Sequence, residues 1–283
     1  MTATYAVKTP PQHGRWTDFL DVWRAADDID VFAAAWNFDH FYPLVGDTDG
    51  PCLEGWTMLA ALAQATTRLR IGTMVNGMHY RHPAVTANMA ATVDIISGGR
   101  LSLGLGAGWN EQESSAYGIE LGTVKGRLDR FEEGVACIVG LLTQEHTDFQ
   151  GQYFTLSNAR CEPKPVQRPH PPIVIGGSGR TRTLAVAVRY AQQWDGAFSK
   201  DPQSWRELSA VLDEHCARIG RDPATIERSI HLPWTPDDEP GALAERAATF
   251  VAAGVDQVIF SMRGPYRADL LEPLAQAIVN TAG

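Results

Sequence analysis

A closed barrel of eight parallel strands, each followed by a helix, a (β/α)8 TIM barrel, is the fold this sequence predicts. Three observations predict it. Short apolar, β-branched runs alternate with longer segments of helical period about eight times along the chain. The chain has 283 residues, a length that α/β barrels reach as one domain, so residues 1–283 are expected to form a single unit. No low-complexity stretch and no strong internal repeat divides it. A two-domain dinucleotide-binding enzyme is the alternative architecture.

The units follow in order. "TYAVK" is a strand, and Trp16, Phe19, Leu20 and Trp23 after it recur at helical spacing on one face. "VFAAAW" leads through a long loop to the helix "EGWTMLAALAQATT". "RLRIGTMV" leads to a helix with Val85, Met89, Val93 and Ile96 on one side. "RLSLGLG" precedes a loop and then the stripe Leu128, Phe131, Val135, Ile138 and Leu142. In the second half, "PPIVIGG", "WDGAFS", "TIERSIHL" and "DQVIFSM" are strands, each followed by a helical segment. One stretch breaks the rhythm: "TDFQGQYFTLSNARCEPKPVQRPHPP" predicts a β-hairpin around Gly151 and an extended, proline-rich connection. It is either a surface excursion or a flap beside the barrel mouth.

Composition narrows the function. A net charge of -9 argues against a nucleic-acid partner, and 44% hydrophobic with 20% charged residues is ordinary for a soluble globular protein. No window approaches the roughly 18 apolar residues of a membrane span, so no membrane partner is expected. The start "MTATYAVKTPPQHGRW" has no basic segment followed by an apolar one, so a cytoplasmic protein is expected. Cys52, Cys137, Cys161 and Cys216 are scattered and predict free thiols. His79 and His82 have no further ligands at metal-like spacing, so no metal site is expected.

In a barrel the chemistry sits where strands end at their C-terminal side. Asp39 and His40 stand there, after "VFAAAW", with Phe41 and Tyr42 beyond them. An imidazole at that face can exchange a proton or hydrogen-bond a ligand. Gly176, Gly177, Ser178, Gly179 and Arg180 connect a buried strand to a helix, a pattern suited to a phosphate, with a plain tight turn as the alternative. Gly104, Gly106 and Gly108 leave one strand face bare, either for a flat ligand or for a close neighbour.

These segments together resemble the luciferase-like monooxygenase superfamily, in its branch of coenzyme F420-dependent oxidoreductases. The resemblance rests on "FDHF", on "IGTMV…HPAVTANMAATVDIISGGRLSLGLGAGWNEQE", and on "GQYF…PPIVIGGSGRTRTL" ending in "QQWDGAF". It covers nearly the whole chain, most clearly residues 36–198. It implies a small-molecule oxidoreductase and a homodimer. Asp39 and His40 would face the deazaflavin, with His40 catalytic. A non-prolyl cis bond at Met74-Val75 would back the ring; Gly106, Ala107 and Gly108 would border it; Gly176 to Arg180 would hold the phosphate. The pocket aromatics Trp109, Phe41 and Tyr42 would wall the substrate side, as Trp36 would unless it simply packs the core.

Two departures limit the carry-over. Sugar-phosphate dehydrogenases of the branch have a glutamate where Trp109 stands, and a tryptophan near Leu44 that is missing here. Glu113 is the nearest alternative carboxylate, its direction open. An FMN-dependent monooxygenase and a non-catalytic cofactor-binding barrel are the competing functions, and the substrate is expected to be apolar or conjugated.

Overall fold

Parallel strands covered on both sides must present one apolar row to the helices and one row to the barrel interior. The computed structural model, which describes residues 3–282, has this arrangement. Strands β1 (Thr4–Lys8), β2 (Phe32–Asn37), β3 (Arg70–Thr73), β4 (Asn76–Gly77) and β5 (Leu103–Gly106) come first. The hairpin β6 (Thr147–Gln150) and β7 (Thr155–Ala159) follows, then β8 (Ile173–Gly176), β9 (Gln193–Asp195), β10 (Glu227–Trp234) and β11 (Gln257–Met262). The sheet order is β3-β2-β1-β11-β10-β9-β8-β5-β4. β3 and β4 are two halves of one strand position, and an Ile71–Leu101 bridge closes the seam. The result is the predicted eight-position barrel, its first and last strands paired in parallel from Thr4–Gln257 to Lys8–Ser261.

The helices α1 (Trp16–Asp28), α2 (Gly55–Ala65), α3 (Pro83–Ile96), α4 (Glu111–Ala116), α5 (Val124–Thr143), α6 (Thr183–Tyr190), α7 (Pro202–Ile219), α8 (Pro240–Val251) and α9 (Leu271–Ala282) surround it. Their ends carry local signals. In α7, Asp201 accepts from Ser204 N at 2.8 Å, Pro202 opens the first turn, and Gly220 ends the helix at φ +70°. Outward-facing Val7, Trp194, Ile230, Leu232 and Phe260 join the helices in the main core. Inside the barrel, Ala6, Ala34, Trp36, Met74, Val174 and Ile259 form a separate packed layer. Trp36 is therefore barrel filling rather than a pocket wall. Among the described residues no helix is long and apolar enough to cross a membrane.

Two expectations need correction. On α3 the buried face is Thr86, Ala87, Ala90, Ala91, Val93 and Asp94, whereas Val85 is 50% exposed and Ile96 40%. Small residues let α3 approach its neighbours closely, so the bulkier apolar residues were left outside. The stretch after β5 is not all loop: α4 occupies Glu111–Ala116, with Asn110 capping it by accepting from Glu113 N at 3.3 Å. The hairpin around Gly151 is antiparallel, as expected.

Candidate active site

At the C-terminal ends of the strands lies a pocket of about 570 Å³. One wall is built from β4, β5 and β8. The peptide bond Met74-Val75 between β3 and β4 is cis, and the Val75 side chain stands into the pocket. The bare glycine face accommodates it: a Cβ on Gly106 would lie 2.7 Å from Val75 Cγ2, and one on Gly176 2.8 Å from Val75 Cγ1. Gly104 serves close strand approach instead, since its Cβ would fall 2.0 Å from Thr73 O. Gly108, at φ +87°, yields its space to His79, which hydrogen-bonds Ser114 Oγ through Nε2 at 3.1 Å. Burial pushes His79 down to about 4, so its ring is neutral.

His40 enters from the end of β2. Its Nδ1 lies 2.5 Å from Glu113 Oε1, and the other carboxylate oxygen accepts from Phe41 N at 2.9 Å and Tyr42 N at 3.3 Å. The Tyr80 hydroxyl also donates to Glu113. Burial alone would raise the Glu113 carboxyl, but His40, Tyr80 and the Phe41 amide outweigh it and hold it below the usual range. An ionised acid on Nδ1 fixes the tautomer, leaving Nε2 as the nitrogen available to the pocket. Trp109, 61% exposed, crosses the His40 ring edge to face with centroids 5.4 Å apart.

Asp39 lies elsewhere than expected. It is buried, with Oδ2 accepting from Arg81 Nη1 at 2.7 Å, while Arg81 Nη2 reaches Glu54 at 2.9 Å. Burial pushes Asp39 up to about 6 against the pull of Arg81. Its carboxyl clamps the β2 loop from behind and does not line the pocket. Phe41 and Tyr42 are also outside the lining; they pack on Tyr117, and Phe41 on Tyr80. Of the glycine-rich loop, Gly176, Gly177 and Gly179 line the pocket together with Thr183, whereas Ser178 and Arg180 are exposed and outside its lining.

Arg127, which sequence reasoning missed, faces the pocket from α5. Its Nη1 is buried without a hydrogen-bond partner. An unpaired guanidinium lining the same pocket as Gly177, Gly179 and Thr183 suits an anionic group. The floor was missed as well. Lys8 Nζ donates to Met74 O at 2.8 Å, and Asp195 accepts from Ser229 Oγ at 3.0 Å. Burial lowers Lys8 to about 8 and raises Asp195 to about 6. Leu44, Val124, Leu128 and Phe198 complete an apolar rim.

Comparison with known proteins agrees with this geometry. A family model described as luciferase-like monooxygenase matches residues 2–279. The chain is 31% identical over 243 residues to the F420-dependent hydroxymycolic acid dehydrogenase of Mycobacterium tuberculosis, covering 85% of this chain and 66% of that protein. It is 32% identical over 218 residues to the phthiodiolone/phenolphthiodiolone dimycocerosates ketoreductase of Mycobacterium bovis, covering 75% and 56%. The chain thus spans about two thirds of the first relative's length and little more than half of the second's. Among solved structures, an F420-dependent secondary alcohol dehydrogenase in complex with an F420-acetone adduct superimposes with a TM-score of 0.87 at 19% identity, over 100% of both chains.

Proposed function

The chain belongs to the luciferase-like monooxygenase family, and on that premise we propose that it is a coenzyme F420-dependent oxidoreductase interconverting an apolar ketone and its secondary alcohol. The observation that carries this reading is His40, tied through Nδ1 to buried Glu113 and lining a pocket with an apolar wall and rim. Two relatives bear names for ketone or hydroxyl redox chemistry, which supports it.

The residues present fit the coenzyme. The wall of Val75, Gly106, Ala107 and Gly176 is free of polar side chains and suits a flat ring. The unpartnered Arg127, with Gly177, Gly179 and Thr183, suits its phosphate. When bound, the deazaflavin supplies a hydride acceptor or donor. The chain's own part is proton handling and orientation. In the oxidation direction His40 Nε2 takes the hydroxyl proton of the alcohol while the carbinol carbon loses its hydride. The imidazolium so formed lies against the ionised Glu113 carboxylate. In the reduction direction the same nitrogen returns the proton to the carbonyl oxygen. Trp109, Leu128 and Phe198 exclude water and hold the apolar body of the substrate.

Equilibrium titration with F420 and with FMN tests the coenzyme. F420 is expected to bind at least tenfold more tightly, and Arg127→Gln to weaken it by about tenfold with a smaller salt dependence. Preferential FMN binding with oxygen uptake would favour the flavin monooxygenase reading of the same barrel instead.

We also propose a homodimer. Trp56, Ala60, Val85, Met89 and Val93 line an open apolar groove between α2 and α3, in which Val85 is exposed. Sedimentation at micromolar concentration is expected to return a dimer, and Met89→Asp a folded monomer by circular dichroism. A wild-type monomer would contradict it.

A further inference from the structure

The pocket holds a second polar pole that proton exchange at His40 does not use. His231 lies on β10, buried and facing the barrel interior beside Lys8 and Asp195. Its Nε2 is 3.3 Å from Asp195 Oδ2, yet the direction is not that of a hydrogen bond, and neither ring nitrogen has a partner. Burial first, and then the Lys8 charge, push its pKa well below the ordinary histidine value, so the ring is neutral. A neutral imidazole offers one donor and one acceptor, and leaving both unmet in a dry site is costly. Lys8 and Asp195, by contrast, already have partners in Met74 O and Ser229 Oγ.

The barrel's strand order says what His231 faces. The wall of Val75, Gly106 and Gly176 comes from β4, β5 and β8. Around the closed barrel, β10, β11 and β1 lie on the opposite side, with β2 and its His40 between. A ring laid on the glycine wall therefore turns its free face toward both His40 and His231. Phe198, exposed at the rim, packs edge to face on His231 with centroids 5.0 Å apart, so the site opens toward the mouth.

We propose that His231 is a specificity-determining residue that binds a second, uncharged oxygen function of the substrate, distinct from the oxygen handled by His40. The substrate class is then an apolar ketone or secondary alcohol bearing a further hydroxyl, ester or ketone oxygen. Lys8 and Asp195 offset each other's charge there, so a carboxylate would lose its hydration with no unpaired cation to meet it, which disfavours an acid. The inference rests on the oxidoreductase reading above and deepens it.

The test compares simple alkanones with oxo-esters of matched length and graded separation, using wild type, His231→Phe and His231→Gln. Wild type should favour at least one oxo-ester by about tenfold in kcat/KM, mainly through KM. His231→Phe should erase that preference while leaving kcat on alkanones and F420 affinity within about twofold, and His231→Gln should keep part of it. No preference in wild type, or an equal loss on all compounds, would overturn the proposal. Weaker F420 binding would assign His231 to the ring and overturn it too. A second arm needs no turnover. In the protein without coenzyme, the ring-nitrogen NMR signals of His231 should shift with the favoured oxo-ester and not with the alkanone. Failure of F420 to bind would remove the coenzyme reading, and this arm would still decide the role of His231: a shift upholds it, and no shift refutes it.

Discussion

Replacing His40 with alanine is expected to lower kcat by about 10²–10⁴, the usual contribution of a positioned acid–base group. F420 affinity should change much less, because the wall and the phosphate end proposed for it are built from other pocket residues: Val75, Gly106, Gly176 and Arg127. The melting temperature should hardly move, since His40 is part-exposed at the pocket edge and its loss leaves Glu113 with three other donors. Steady-state kinetics with a coenzyme titration on the same preparation checks this. A defect confined to affinity, with rate restored at saturating coenzyme, would make His40 a packing residue.

Glu113→Gln should lower kcat roughly tenfold to hundredfold, less than the loss of the imidazole itself. A glutamine amide can donate to Nδ1, which moves the ring proton to Nε2 and presents the wrong tautomer to the substrate. The same change should alter the acid limb of stability. The folded-state pKa of Glu113 lies below its ordinary value. Its ionised form therefore contributes stability in full above the unfolded carboxylate range, near pH 4.3. That contribution is lost as the pH falls through the lower folded value. Thermal melts from pH 3 to pH 7 should accordingly fall more steeply on the acid side in wild type than in Glu113→Gln. Parallel curves would mean that the contacts holding the Glu113 carboxyl down, from His40, Tyr80 and the Phe41 amide, do not form in solution.

Much of this site is legible in the amino-acid sequence, and the parts that are not share a cause. The strand–helix alternation is readable because periods of two and 3.6 residues are local properties of the chain. His40 is readable as the end of an apolar strand, and Gly176–Gly179 as a strand-to-helix turn. Glu113 can be named but not aimed, because its direction depends on a six-residue helix too short for periodicity to reveal. The capping signal is present, with Asn110 ahead of two acids in the first turn. Asp39 looks like a ligand contact because its partner Arg81 lies 42 residues away and folds beneath it. Lys8, Asp195 and His231 go unnoticed singly. Each is one polar residue at an inward position of its strand, and only barrel closure gathers them. Arg127 is one of several charges on α5, distinguished only by facing the pocket. The misjudged face of α3 has the opposite origin: small residues pack best, so apolar bulk is a poor guide to burial.

The proposed reaction is direct hydride transfer between the substrate's carbinol carbon and the deazaflavin at one face of this pocket. The most direct measurement is an isotope experiment: a secondary alcohol deuterated at the carbinol carbon is incubated with enzyme and oxidised F420 in ordinary water, and the reduced coenzyme is examined by mass spectrometry and proton NMR. Direct transfer predicts one deuterium per reduced coenzyme, at C5 and on one face only, with a primary isotope effect on the transfer step. Reduced coenzyme carrying solvent hydrogen at C5, or no reduction of F420 with oxygen consumed in the presence of reduced FMN, would contradict it.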